Sequence, residues 1–166
     1  MGAAPSARWL WLTLAILAAD RATKYAVESL TDEGFRRVLI PGFAALVQSR
    51  NTGMAFGLFG GSDRRWFSMI LLLVAGAVVL LLAWLLFAGR VGTTLGGAGL
   101  ALLAGGAAGN LLDRLIHGDV TDFVELHVSS FYWPAFNLAD SAITIGAALL
   151  MVELFRGDSR RPVAQE

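Results

Sequence analysis

The sequence predicts an all-α membrane protein: four transmembrane helices with a small β-rich region outside the bilayer. Three observations carry this. The 166 residues are 56% hydrophobic and only 16% charged, too apolar for a soluble domain of this size. Four apolar stretches are separated by polar ones, giving expected spans at about 8–28, 66–88, 91–112 and 138–155 within one integral-membrane domain. The polar segments at about 31–65 and 114–134 hold the short strand-like runs and most of the carboxylates.

The first span opens behind Arg8, where Trp9 to Ala19 is unbroken apolar sequence. A signal-peptide core of about 7 to 15 apolar residues would read similarly. No small-x-small cleavage site follows, however, and the helical pattern continues through Asp20, Arg21, Lys24 and Val27 to Leu30. A spanning helix needs roughly 20 residues, so Asp20 falls inside the helix and requires a partner. Lys24, four residues on, offers an i,i+4 pair that would let the helix end snorkel at the interface.

Residues 31–65 contain glycines, Pro41 and two short apolar runs, Val38 to Ile40 and Ala44 to Val47, suited to strands and turns. The run Asn51-Thr52-Gly53-Met54-Ala55-Phe56-Gly57, followed by Leu58 and Phe59, mixes an amide, a hydroxyl and glycines with large apolar side chains. Such a loop either grips an extended apolar ligand or rests on lipid, as interfacial segments ordinarily do.

The second span, Trp66 to Phe87, contains no charge, and Arg90 closes it. The third, Val91 to Leu112, is also uncharged and carries GxxxG spacings at Gly92–Gly96 and Gly105–Gly109, which allow close helix packing. Asn110 at its end must find a partner or a water-filled cavity. Gly118 then breaks the helix, and Val120 to Val128 alternates as a short strand would. Before the fourth span Pro134 stops any helix arriving from upstream, and Asn137 with Asp140 three residues later has the pattern of an N-cap and its N3 acid. The tail from Arg156 is polar.

Several function classes fall away. Net charge is zero, from 13 basic and 13 acidic residues, which argues against nucleic acid as a partner. The chain lacks cysteine, and its two histidines, His117 and His127, stand in no metal-ligand spacing, so no metal site is expected. What remains is a set of acids, Asp20, Asp113, Asp119, Asp122 and Asp140, gathered with Asn51, Asn110, Arg114 and Asn137 at one end of the four spans. Ionisable groups near bilayer depth point to function. A proton-coupled carrier would use them as a relay, but it calls for a polar path on both sides of the midplane and often an internal repeat. A structural subunit packed through GxxxG leaves the acids unexplained. Two carboxylates without another nucleophile suit general acid-base hydrolysis, one activating water and one protonating the leaving amide.

The motifs themselves resemble the bacterial signal peptidase II family of lipoprotein signal peptidases. They stand here as Asp20 in AADRATK, Asn51-Thr52-Gly53 with Ala55 and Gly57, Gly109-Asn110-Leu111-Leu112-Asp113-Arg114, Val120-Thr121-Asp122-Phe123, and Phe136-Asn137-Leu138-Ala139-Asp140-Ser141. The resemblance implies a four-helix inner-membrane aspartic endopeptidase that needs no cofactor. Its implied substrates are diacylglyceryl-modified prolipoproteins, cut before the lipid-bearing cysteine within the membrane lipids. Asp122 and Asp140 match the catalytic pair, and Asp20, Asn51, Gly53, Asn110, Asp113, Arg114 and Asn137 match residues that order the site or hold substrate. The resemblance also implies that both termini face the cytoplasm and the segments at 31–65 and 114–134 are extracytoplasmic. The basic residues alone suggest the reverse: Arg21, Lys24, Arg36, Arg37, Arg50, Arg64, Arg65 and Arg114 at the loop end outnumber Arg8, Arg90, Arg156, Arg160 and Arg161 at the other.

Overall fold

The computed structural model describes residues 7–53, 63–88 and 93–158. Met54, Ala55, Phe56, Gly57, Leu58 and Phe59 of the loop, together with Arg90, Val91 and Gly92, lie outside the described residues. Among the described residues four helices, α1 (Ala7–Leu30), α2 (Asp63–Phe87), α3 (Thr94–His117) and α4 (Leu138–Asp158), combine with four strands. The strands β1 (Arg36–Ile40), β2 (Ala44–Asn51), β3 (Val120–Val128) and β4 (Phe131–Phe136) form one antiparallel sheet in the order β1-β2-β3-β4.

Helix α3 is the spine of the bundle, packing against α1, α2 and α4. Its small residues make this possible. A Cβ on Gly99 would come within 2.9 Å of the Gly146 carbonyl oxygen on α4, and one on Gly146 within 2.6 Å of the Gly99 oxygen, so both helices need a bare backbone at this crossing. Leu82 and Leu86 of α2 close a small apolar core with Leu100 and Ala104, flanked by Trp9 and Leu103. The outer faces of the helices are apolar and exposed, with Leu73, Leu80, Trp84, Met151 and Leu154 each more than half accessible.

Among the described residues three helical stretches, Met69–Phe87, Thr94–His117 and Leu138–Arg156, are long and apolar enough to cross a membrane. Helix α1 has the length, 24 residues, but Asp20, Arg21, Lys24 and Glu28 make its second half too polar by composition. Those charges turn toward the protein: Asp20 and Lys24 are buried, and Arg21 and Glu28 are partly covered.

The third helix runs further than the expected end at residue 112. Nothing breaks it before Gly118, which caps it at φ +83° with its N–H on the Arg114 carbonyl, so Asp113 and Arg114 belong to helix and not to the following polar segment. Its start is capped by Thr93, whose hydroxyl accepts from Gly96 N at 3.0 Å. Strand β4 is absent from the sequence reading. Pro134 ends helical continuation as expected, yet it is tolerated in this edge strand, where the register with β3 shifts between the Val124 and Leu126 pairs.

Candidate active site

Two segments bring the expected acids together. On β3, Asp122 pairs in register with Ser49 of β2, which leaves Asn51 at the end of β2 beside it. On α4, Asn137 is the N-cap and Asp140 sits in the first turn. The Asp140 amide donates to Asn137 Oδ1 at 2.9 Å and the Asn137 amide donates to Asp140 Oδ2 at 3.2 Å, the reciprocal cap that the spacing predicts. The next amide of this helix, Ala139 N, donates to Asp20 Oδ1 of α1 at 2.9 Å. Asp20 therefore satisfies a helix-terminal donor that would otherwise be orphaned, and its negative charge meets the positive end of the α4 dipole.

Three asparagines hold the two acids. Asn137 Nδ2 donates to Asp122 Oδ1 at 2.7 Å, and Asn51 Nδ2 donates to Asp122 Oδ2 at 3.0 Å. Asn110 Nδ2 donates to Asp140 Oδ1 at 2.8 Å. Each amide is turned so that its NH2 faces a carboxylate, because each carbonyl end is already taken. Asn51 Oδ1 accepts from Gly53 N at 2.8 Å, at a turn where Gly53 has φ +75°, and Asn137 Oδ1 accepts from Asp140 N. Asn110 Oδ1 accepts from Lys24 Nζ at 2.9 Å.

Lys24 does more than the interfacial pair that its spacing from Asp20 suggests. Its pair with Asp20 forms, at 2.8 Å, but the side chain does not snorkel: it is 0% exposed and sits between Asp20, Asp113 (2.9 Å) and Asn110. Asp113 also pairs with Arg21 and accepts from Thr121 N at 3.3 Å, tying α3 to β3. Around this layer Arg21 bridges to Glu28, Glu28 accepts from the Thr121 hydroxyl at 2.6 Å, and Arg50 joins Asp119 and Thr121. The i,i+4 spacing of Asp20 and Lys24 already put both on one face of α1.

Arg114 stands apart from the acids: its Nη1 donates to the Asn110 carbonyl at 3.2 Å, and its side chain lines a small cavity of about 40 Å³ with Thr52, Leu71, Leu72 and Gly118. Asp140, by contrast, is half-buried and forms part of the wall of a larger open cleft of about 270 Å³. Leu126, Trp133, Phe136 and Ile145 give that cleft a mostly apolar lining, with the hydroxyls of Ser141 and Thr144 beside Asp140.

Burial pushes the Asp122 carboxyl from its ordinary value of 3.8 up to about 6. The hydrogen bond from Asn51 opposes the shift, and the nearby Asp140 charge adds to it. Two carboxylates in electrostatic contact, both fed by donors and one bordering an apolar cleft, can divide acid and base roles between them.

Fold and site together define a helical membrane protein with a two-carboxylate centre at one end of its bundle. Residues 12–156 match the family described as signal peptidase (SPase) II. Over 154 residues the chain is 41% identical to the lipoprotein signal peptidase of Solibacter usitatus, covering 92% of this chain and 94% of that protein. It is 42% identical over 151 residues to the lipoprotein signal peptidase of Pseudomonas syringae pv. tomato, covering 89% and 86% of the two chains. A solved bacterial membrane enzyme superposes with a TM-score of 0.81 at 24% identity, covering 99% of this chain and 97% of that one. A second does so at 0.77 and 26%, covering 92% and 96%. The chain belongs to the signal peptidase II family.

Proposed function

We propose that this protein is an aspartic endopeptidase of the bacterial inner membrane that removes signal peptides from lipid-modified prolipoproteins, cutting before the diacylglyceryl-cysteine. Asp122 and Asp140 are the catalytic pair. The observation that carries this reading is the pair of acids joined through Asn137, which donates to Asp122 from its side chain and exchanges cap hydrogen bonds with Asp140.

In this reading one carboxylate takes a proton from water as it attacks the scissile carbonyl, and the other gives a proton to the departing amine. Asp122, with its carboxyl raised to about 6, holds the proton, and Asp140, at a helix N-terminus and bordering the cleft, acts as the base. The apolar cleft beside Asp140 takes the substrate's membrane-embedded part. Asn51 and Gly53 border the pair from the end of β2, and Arg114, held on the Asn110 carbonyl, is assigned to holding substrate.

The same reading sets the topology as one domain with four crossings, both termini cytoplasmic and the sheet extracytoplasmic. Helix α1 crosses despite its charges because they point into the site, away from lipid. The test is direct: purified protein is mixed with a lipid-modified prolipoprotein and with its unmodified precursor, and signal-peptide release is followed. Cleavage of the modified form alone supports the proposal; cleavage of neither, or of both equally, overturns it.

A further inference from the structure

Lysine can only donate hydrogen bonds, and this decides the orientation of Asn110. Lys24 Nζ lies 2.9 Å from one end of the Asn110 amide, so that end is the carbonyl oxygen. The NH2 end is thereby turned to Asp140 Oδ1, 2.8 Å away. The other donor to Asn110 Oδ1 is Asn137 Nδ2 at 3.3 Å, and that group is already engaged more closely with Asp122. Without the lysine that oxygen would keep only the longer contact from Asn137, and the hold on the amide's orientation would weaken. The rotated form would set the Asn110 carbonyl against a carboxylate oxygen of Asp140, acceptor against acceptor.

We infer that Lys24 is a positioning residue for cleavage: by fixing the face that Asn110 presents, it keeps a donor on the Asp140 carboxylate during turnover. This rests on the two-carboxylate reading and adds to it a residue on α1 that touches neither acid of the pair through a hydrogen bond. Two helices hold the ammonium in place for the task. Asp20 on its own helix and Asp113 on α3 pair with it at 2.8 and 2.9 Å. Arg21 supplies a second cation to Asp113, so that acid is not dependent on Lys24 alone. A lysine serving only to neutralise Asp20 would not need to meet Asn110.

Lys24→Met leaves Asp20 and Asp113 with one cation between them, so it is compared with the charge-balanced double variant Lys24→Met/Asp20→Asn, measured against Asp20→Asn. The lysine substitution is expected to lower kcat by about tenfold or more, the loss of roughly one charge-assisted hydrogen bond, with KM within about twofold and the melting temperature of the double variant preserved. In the Asn110→Ala background, Lys24→Met is expected to lower kcat no further, because the group it positions is gone. In enzyme labelled with 15N-asparagine, the Asn110 side-chain resonances should move on Lys24→Met. The inference is overturned if kcat survives the substitution, if the losses at Lys24 and Asn110 add, if the Asn110 resonances stay in place, or if the charge-balanced variant fails to fold. Wild-type cleavage by Asp122→Asn would instead overturn the two-carboxylate reading itself.

Discussion

Asn137 reaches back across 15 positions to donate its side-chain amide to Asp122 Oδ1 at 2.7 Å, while its own cap hydrogen bonds hold Asp140. One short side chain thus couples a strand residue to the start of α4, and the separation of the two acids is set by a helix cap.

Protonation of Asp122 should govern the alkaline side of the pH profile. If Asp122 delivers the proton, kcat/KM falls as pH rises through about 6, the value to which burial lifts this carboxyl. Asn51 stabilises the charged form, so Asn51→Ala raises the Asp122 value further and moves that fall to higher pH, besides lowering turnover. An alkaline limb that does not move in Asn51→Ala would show that another group controls it.

The same shift makes a stability prediction of fixed sign. The folded protein binds the Asp122 proton more tightly than the unfolded chain, so stability is greatest while the group is protonated and is lost as pH rises from about 4 to above 6. Relative to Asp122→Asn, which cannot ionise, the wild type should lose up to about 3 kcal/mol between about pH 4 and about pH 7. Melting of the two proteins in detergent across that range checks it: the difference between them must change in favour of the variant as pH rises.

Gly109 lies where α3 passes Asp20, and a Cβ there would sit 2.5 Å from Asp20 Oδ2. Gly109→Ala should displace Asp20 from Lys24 and from the α4 amide, costing about 1 to 3 kcal/mol and most of the activity. Asp20→Asn in the same background should not add its full effect, because both changes strike the same contact. Full activity in Gly109→Ala would mean that α1 and α3 separate at no cost.

Three of the apolar helices, the reciprocal cap at Asn137 and Asp140, the strand at Val120–Val128 and the grouping of polar residues at one end could be read from residue patterns, because hydrophobic runs and capping pairs are local signals. Strand β4 could not: Pro134 and the run of aromatics around it give a strand only when β3 offers an edge to pair with. Lys24 was misjudged for a related reason. Its spacing from Asp20 is local, but its burial depends on Asn110, 86 positions away on another helix, and on Asp113 of that same helix. The close approach at Gly99 and Gly146 likewise needs both helices before either glycine acquires its meaning.

The proposed topology is tested with cysteines at Ser130, in the turn between β3 and β4, and at Ala88, just after α2. In a chain without native cysteine, a membrane-impermeant thiol reagent added to intact spheroplasts should label the first and spare the second. Labelling of Ala88→Cys alone would invert the orientation. Ser62 and Ser159, which would report from the same two sides, lie outside the described residues.

In the proposed mechanism two carboxylates, Asp122 and Asp140, perform the cleavage together. Its most direct measurement is the rate of signal-peptide release from a lipid-modified prolipoprotein by Asp122→Asn and by Asp140→Asn, each first verified to be folded and to bind substrate. Each variant is expected to bind and neither to cleave, with the double variant no worse than either single one, as for groups acting as a unit. Near-normal turnover by either single variant would contradict it.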